Sequence, residues 1–173
     1  MRVFVTSIGQ DSHRFCREDE PGSEQRCLRL GGLDFFGEAP LKGNSDADVI
    51  LHAVTNALSG LTGKPVLGKR ADDLCRSGER DSAAYLRLAL EDLREDPRRY
   101  RLLHLSLSLE GQRPRIAERS DEICQSLAAL LGLSPDEVAL TATSGEGLTA
   151  FGRGEGIQVL ALLSASRDER ILP

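Results

Sequence analysis

Between residues 103 and 110 every second residue is a leucine: Leu103, Leu105, Leu107 and Leu109 alternate with His104, Ser106, Ser108 and Glu110. Successive side chains of a strand point to opposite faces, so this run can bury its leucines only in a sheet with one apolar and one polar face. Such a sheet needs a second layer over its apolar side. The chain supplies one. Ile50, Val54, Ala57, Leu58 and Leu61 recur at helical spacing as a single core stripe.

Further elements follow the same two periods. Strands are expected over residues 2–8, 138–143 and 157–164, and over 27–36 with a turn or bulge at Gly31-Gly32. Helices are expected over 82–95, with Ala83, Leu86, Leu90 and Leu93 in register, and over 116–131, stopped by Gly132. Ser45 is the expected N-cap of the 50–61 helix, with Asp46 and Asp48 in its first turn. Gly60 to Gly68, with Pro65, reads as a break. Residues 16–26 read as a charged loop or hairpin, and the tail Arg167 to Pro173 as fraying. Helices alternate with strands and no repeat or linker interrupts them. The expectation is therefore one α/β (α+β) domain over residues 1–173.

Composition removes several function classes. Asp and Glu number 27 against 22 Lys and Arg, a net charge of −5 that argues against a nucleic-acid binder. The basic run Arg98-Arg99-Tyr100-Arg101 reads as a solvated face. No apolar run approaches the roughly 20 residues of a spanning helix, and the first residues do not resemble a signal peptide, so a cytoplasmic location is expected. Cys16, Cys27, Cys75 and Cys124 lack C-x-x-C pairing and read as reduced thiols. Any metal must then be held by His and carboxylates.

Asp11-Ser12-His13 places a carboxylate and an imidazole on one side of an extended segment. Carboxylate oxygen and imidazole nitrogen are zinc ligands, although the same pair also suits a surface salt bridge. His52 is the candidate third ligand. It falls almost opposite the apolar stripe, and Asp48 one turn earlier could orient its ring. His104, on the polar face of the leucine strand, has no carboxylate pattern beside it. The segment from Thr143 to Gly156 holds five glycines beside Arg153, which lets backbone N–H groups approach an anion such as phosphate. It matches neither a P-loop nor a G-x-G-x-x-G motif and could equally be a plain hairpin. Glu146 within it would make sense with a divalent ion between it and a phosphate.

Three blocks together resemble the 2-C-methyl-D-erythritol 2,4-cyclodiphosphate synthase family. Ile8-Gly9-Gln10-Asp11-Ser12-His13-Arg14-Phe15 is similar to its G-x-D-x-H-x-F start. Asn44-Ser45-Asp46-Ala47-Asp48-Val49-Ile50-Leu51-His52-Ala53 is similar to its H-S-D-G-D-V-x-x-H-A. Thr141 to Glu146 and Gly152-Arg153-Gly154-Glu155-Gly156 resemble T-A-T-T-x-E and G-R-G-E-G, and Arg113-Pro114-Arg115 resembles a cytidine-binding R-P-K segment. The resemblance runs from about residue 3 to 164. It implies a ferredoxin-like or chorismate-mutase-like fold, a mixed four- to five-stranded sheet covered on one side by helices, assembling as a homotrimer with active sites between subunits. It implies Zn2+ on Asp11, His13 and His52, and Mg2+ or Mn2+ at Glu146. Ser144 takes the place of a transition-state-stabilising threonine and Asn44 that of the catalytic loop histidine. Substrate contacts are implied for Asp11, His13, Asn44, Ser45, Gly68, Thr143, Ser144, Gly145, Glu146, Ala150 and Arg153, with Arg115 and Ile116 lining a cytidine pocket.

The implied reaction is intramolecular closure of a CDP-methylerythritol 2-phosphate to a cyclic diphosphate with release of CMP. Two departures stand out: the family's D-I-G turn reads Val66-Leu67-Gly68, and its F-P-x-x-D loop has no counterpart in Arg70 to Leu74. A zinc-dependent phosphohydrolase and a non-catalytic trimeric binder of nucleotide or isoprenoid diphosphate remain open alternatives.

Overall fold

The alternating leucines form the third strand across a four-stranded sheet in the computed structural model of the chain, which describes residues 1–17, 19–21 and 23–169. The strands are β1 (Arg2–Arg14), β4 (Arg101–Glu110), β5 (Val138–Thr143) and β6 (Gly156–Asp168), in spatial order β1-β6-β4-β5. β6 runs antiparallel to both neighbours, and β4 and β5 are parallel. Two short strands, β2 (Leu28–Leu30) and β3 (Leu33–Phe35), form a separate hairpin turned at Gly31-Gly32. The mixed sheet thus has four strands. Leu105, Leu107 and Leu109 are buried as the alternation requires, while a bulge between Leu102 and His104 leaves Leu103 half-buried.

The helical layer is α1 (Val49–Thr62), α2 (Lys69–Arg76), α3 (Ser82–Arg94) and α4 (Ser120–Leu131). α1 lies across β1 and β6, α4 packs on β5, and α3 packs on the far side of α1. α1 is therefore enclosed from both sides, and Val49 through Thr55 are all buried. Its approach to the sheet depends on Gly9. A Cβ there would sit 2.0 Å from the Ala53 carbonyl oxygen and 2.3 Å from the Ala57 nitrogen, so no other residue allows strand and helix to touch backbone to backbone.

Several boundaries differ from expectation. α1 begins at the N-cap Asp48, not Ser45, because Ala47 adopts a left-handed φ of 57° that breaks any earlier helical start. It continues through Gly60 to Thr62 rather than breaking there. The 116–131 helix is a 3-10 turn (Ile116–Glu118) followed by α4, which Gly132 ends in the left-handed region. β6 stays paired with β1 through Asp168, so Arg167 is ladder rather than fraying tail, and residues 170–173 lie outside the described ones. In the charged 16–26 loop, Ser23–Gln25 form a 3-10 turn. Arg98 is not merely solvated: it pairs with buried Asp96 and stacks on the Tyr100 ring.

Opposite the helices, no element among the described residues covers the sheet. Phe4 is 80% exposed, Ile8 63%, and Leu160 and Leu162 about 40%. No helix among the described residues is long and apolar enough to cross a membrane.

Candidate metal centre

β1 extends past residue 8 to Arg14, which puts Asp11 and His13 two apart on its helix-facing side, opposite Val159 and Ile157 of β6. His52 projects from the first turn of α1 toward them. Three lone-pair atoms converge. Asp11 Oδ2 lies 2.9 Å from both His13 Nε2 and His52 Nδ1, and the two nitrogens are 3.1 Å apart. Ligand atoms at the corners of a tetrahedral zinc site stand about 3.3 Å from one another, so the spacing is that of one ion's coordination sphere. These three are the one such His/Cys/Asp/Glu group among the described residues.

The surroundings fix how each ligand is presented. His13 Nδ1 faces the Lys42 carbonyl at 2.7 Å, and a carbonyl can only accept, so Nδ1 carries the proton and Nε2 keeps its lone pair for the cluster. Burial alone would push the Asp11 carboxyl up, but the adjoining His13 and His52 imidazoles outweigh it and hold Asp11 well below the usual carboxylate range. Burial opposes protonation of His13, and the Asp11 carboxylate overcomes that and raises the imidazole above its ordinary value. The Arg26 guanidinium donates to the carbonyls of Leu41, Gly43 and Ser45, holding the loop that carries Asn44 and Lys42.

His52 departs from expectation in two ways. It is 7% exposed, because α3 covers the face that helical periodicity assigns to solvent. The cover comes from the same chain, with Ser82 Oγ 2.8 Å from Nε2 and the Tyr85 ring tilted against the imidazole at 6.2 Å between centroids. Nor does Asp48 orient the ring. Its carboxylate accepts from four backbone N–H groups, those of Gly31, Gly32, Ile50 and Leu51, tying the hairpin turn to the start of α1.

The ligands open into a cavity of about 230 Å3 that also bears Asn44, Ser45, Gly68, Asp72 and Cys75. Asn44 is exposed at its mouth, while Ser45 is buried, with Oγ accepting from Ala47 N–H and 3.5 Å from His52 Nε2. Val66, in place of the aspartate of a D-I-G turn, is fully buried and takes no part in the cavity.

The second cluster forms at the same end of the sheet but along its other edge. Asp11 shares a row with Val159, Leu109 and Ala142, so the turn after β5 stands three strand spacings from β1, about 14 Å. That turn is Ser144 and a 3-10 turn over Gly145–Gly147, in which Glu146 has a left-handed φ of 49° and accepts from the Ser144 hydroxyl at 3.1 Å. A Cβ on Gly145 would strike Glu110 Oε1, and φ there is 65°, so only glycine turns the chain in this space. Thr143, Ser144 and Glu146 are exposed, and Ala150 is half-buried. Arg153 pairs with Glu155 at 2.8 Å. Arg115 is exposed on the loop after β4, while Ile116 is buried beneath it.

A family model described as the YgbB family matches residues 4–166, spanning both clusters. The chain belongs to the YgbB family. A YgbB relative from Chlamydia muridarum, a 2-C-methyl-D-erythritol 2,4-cyclodiphosphate synthase, is 40% identical over 163 residues, covering 94% of this chain and 88% of the relative. A solved 2C-methyl-D-erythritol-2,4-cyclodiphosphate synthase in its CDP-bound form superposes with a TM-score of 0.76 at 32% identity, covering 93% of this chain and 99% of that one. The bifunctional IspDF of Campylobacter jejuni matches with a TM-score of 0.83 at 25% identity, covering 98% of this chain and 44% of that longer one. Within this YgbB chain, sequence reasoning missed Asp72 and Cys75, presented by the charged α2, and Ser82 and Tyr85, presented by α3. No local pattern points at them, since each meets the site only through tertiary packing.

Proposed function

We infer that this chain is a 2-C-methyl-D-erythritol 2,4-cyclodiphosphate synthase. Its substrate is 4-diphosphocytidyl-2-C-methyl-D-erythritol 2-phosphate. An oxygen of the 2-phosphate bonds to the β-phosphorus, the bond from that phosphorus to the bridging oxygen breaks, and CMP leaves with the electron pair. The product is the cyclic 2,4-diphosphate, and no oxidant or covalent enzyme intermediate is needed. The observation that carries this reading is the convergence of Asp11, His13 and His52 in a chain 40% identical to a synthase of that name.

The donor set fits a divalent cation: two imidazole nitrogens and one carboxylate oxygen leave one tetrahedral position open, and Zn2+ prefers that set. Bound there, such a cation would polarise and neutralise a phosphate oxygen. The chain's own groups do the rest. Asn44 and Gly68 line the cavity in which the phosphates would lie, and the cavity walls hold nucleophile and electrophile together, replacing collisional entropy. The Ser144 hydroxyl and the N–H groups of the Gly145 turn are donors for charge on the transferring phosphoryl. Glu146, exposed beside Ser144, is the carboxylate for a second cation, Mg2+ or Mn2+. Arg115, Ile116, Thr143, Ala150 and Arg153 surround that turn as the cytidine and diphosphate contacts.

The assembly we infer is a homotrimer. The exposed Phe4, Ile8, Leu160 and Leu162 give the sheet an apolar face suited to burial between copies. The two clusters occupy opposite edges, and head-to-tail contact of one edge with the other closes as a ring. Free cysteines throughout suit the cytoplasm. Phosphorus NMR of the substrate with zinc-replete protein and magnesium tests the function. Equimolar CMP and cyclic diphosphate are expected; a linear phosphate product would favour the phosphohydrolase reading, and unchanged substrate the binder.

A further inference from the structure

Behind the metal centre lies a chain of polar groups that the reaction itself does not use. His52 Nε2, the ring nitrogen facing away from Asp11, is 2.8 Å from Ser82 Oγ. Ser82, fully buried in the first turn of α3, hydrogen-bonds through the same oxygen to Asp46 Oδ1. Asp46 also accepts from the Ser82 backbone N–H and from Arg29 Nη1 at 3.2 Å. The residues come from α1, α3, the loop before α1 and the β2 strand, so they meet only in the folded chain.

The direction of this chain follows from what each group can give. A carboxylate paired with arginine only accepts, so the single Ser82 hydroxyl hydrogen points at Asp46. Ser82 Oγ can then only accept from the imidazole, and the donor must be Nε2–H. In the neutral ring, the only form that can ligate a cation, that leaves Nδ1 without a proton and with its lone pair aimed into the cluster with Asp11 and His13. The opposite tautomer would place a hydrogen where a cation must sit. His13 is fixed in the mirror sense, with its Nδ1–H held by the Lys42 carbonyl.

We propose that Ser82 and Asp46 are positioning residues that fix the metal-binding tautomer and ring angle of His52 through a carboxylate–hydroxyl–imidazole relay. The proposal rests on the metal-centre reading above. Groups that orient a ligand histidine from behind commonly shift metal affinity by about 10–100-fold, which sets the expected effect.

The test is zinc affinity, measured by competition with a chromogenic chelator, on wild type, S82A, D46N, the S82A/D46N double variant, and the isosteric pair S82T and S82V. Melting of the chelator-stripped proteins reports the fold separately. S82A is expected to bind zinc about 10–100-fold more weakly at an unchanged metal-free melting temperature. D46N, whose amide can donate to Ser82 and reverse the relay, is expected to lose a similar factor, with the double variant no worse than either. S82T should bind more tightly than S82V by about tenfold or more, and this comparison holds even where S82A disturbs packing. The cobalt-substituted S82V protein should show a ligand-field spectrum displaced from that of wild type and S82T. Zinc binding by S82A equal to wild type, or S82T equal to S82V with matching cobalt spectra, overturns the relay. Failure of the wild type to bind zinc overturns the metal centre and the relay with it.

Discussion

The two edges of the sheet are built differently. Along β1, the candidate ligands Asp11, His13 and His52 sit on a strand and a helix locked backbone to backbone, and the outward ring nitrogens are held by the Lys42 carbonyl and the Ser82 hydroxyl. Along β5, the last three residues of the strand are exposed, and Ser144, Gly145 and Glu146 hang on a turn in which three residues, Gly145, Glu146 and Gly147, adopt left-handed φ. The first edge is finished within one chain. The second has donors and a carboxylate but no wall to hold anything against them. Rigidity suits an edge proposed to bind a cation with fixed geometry, whereas the open edge suits a surface completed by a partner.

Breaking the β1 edge has the largest expected effect. His52→Ala or Asp11→Ala should remove zinc and lower cyclisation by at least about a thousandfold, the scale of several kcal/mol of lost charge stabilisation. Stoichiometric zinc in both variants would refute the ligand assignment. Ser144→Ala, on the β5 edge, should cost about 10²–10³-fold in kcat while zinc content by atomic absorption stays at the wild-type level. A parallel loss of zinc would mean that the two edges are not separable. Gly9→Ala attacks the lock without touching a ligand. Its Cβ must displace α1, so calorimetry should show destabilisation of about 1–3 kcal/mol together with weakened zinc binding. The smallest effect serves as a control remote from both edges. Hydrogen bonds from Arg98 outweigh burial and hold the Asp96 carboxyl below its ordinary value. Its contribution is therefore present above the unfolded value near 3.8 and lost as pH falls toward the folded one. Asp96→Asn should cost about 1 kcal/mol at pH 7 in urea unfolding, and the gap from wild type should close below pH 4.

The β1 edge was largely legible from the sequence, since a period of two carries Asp11 and His13 and the helical period carries His52. Periodicity failed where a second helix mattered: only the packing of α3 on α1 buries His52, and Ser82 is 30 residues away in sequence. α2 was invisible because Lys69–Arg76 has one buried residue, Ala71, and hence no apolar stripe to read. Ser45 and Asp48 are both good caps by composition, and the left-handed Ala47 between them, which decides in favour of Asp48, leaves no mark in an alanine. The β5 edge was legible as a glycine pattern, but its openness to solvent was not.

The proposed division of one site between two edges has a consequence for inheritance. In a ring of copies joined edge to edge, a chain that has lost His52 still offers an intact turn, and one that has lost Ser144 still offers intact ligands. With the homotrimer proposed above, a cell expressing both defective genes would assemble mixed rings in which one of the three junctions unites two sound halves. Two alleles, each null alone, would then support growth together, and the recovered fraction would record how the copies meet.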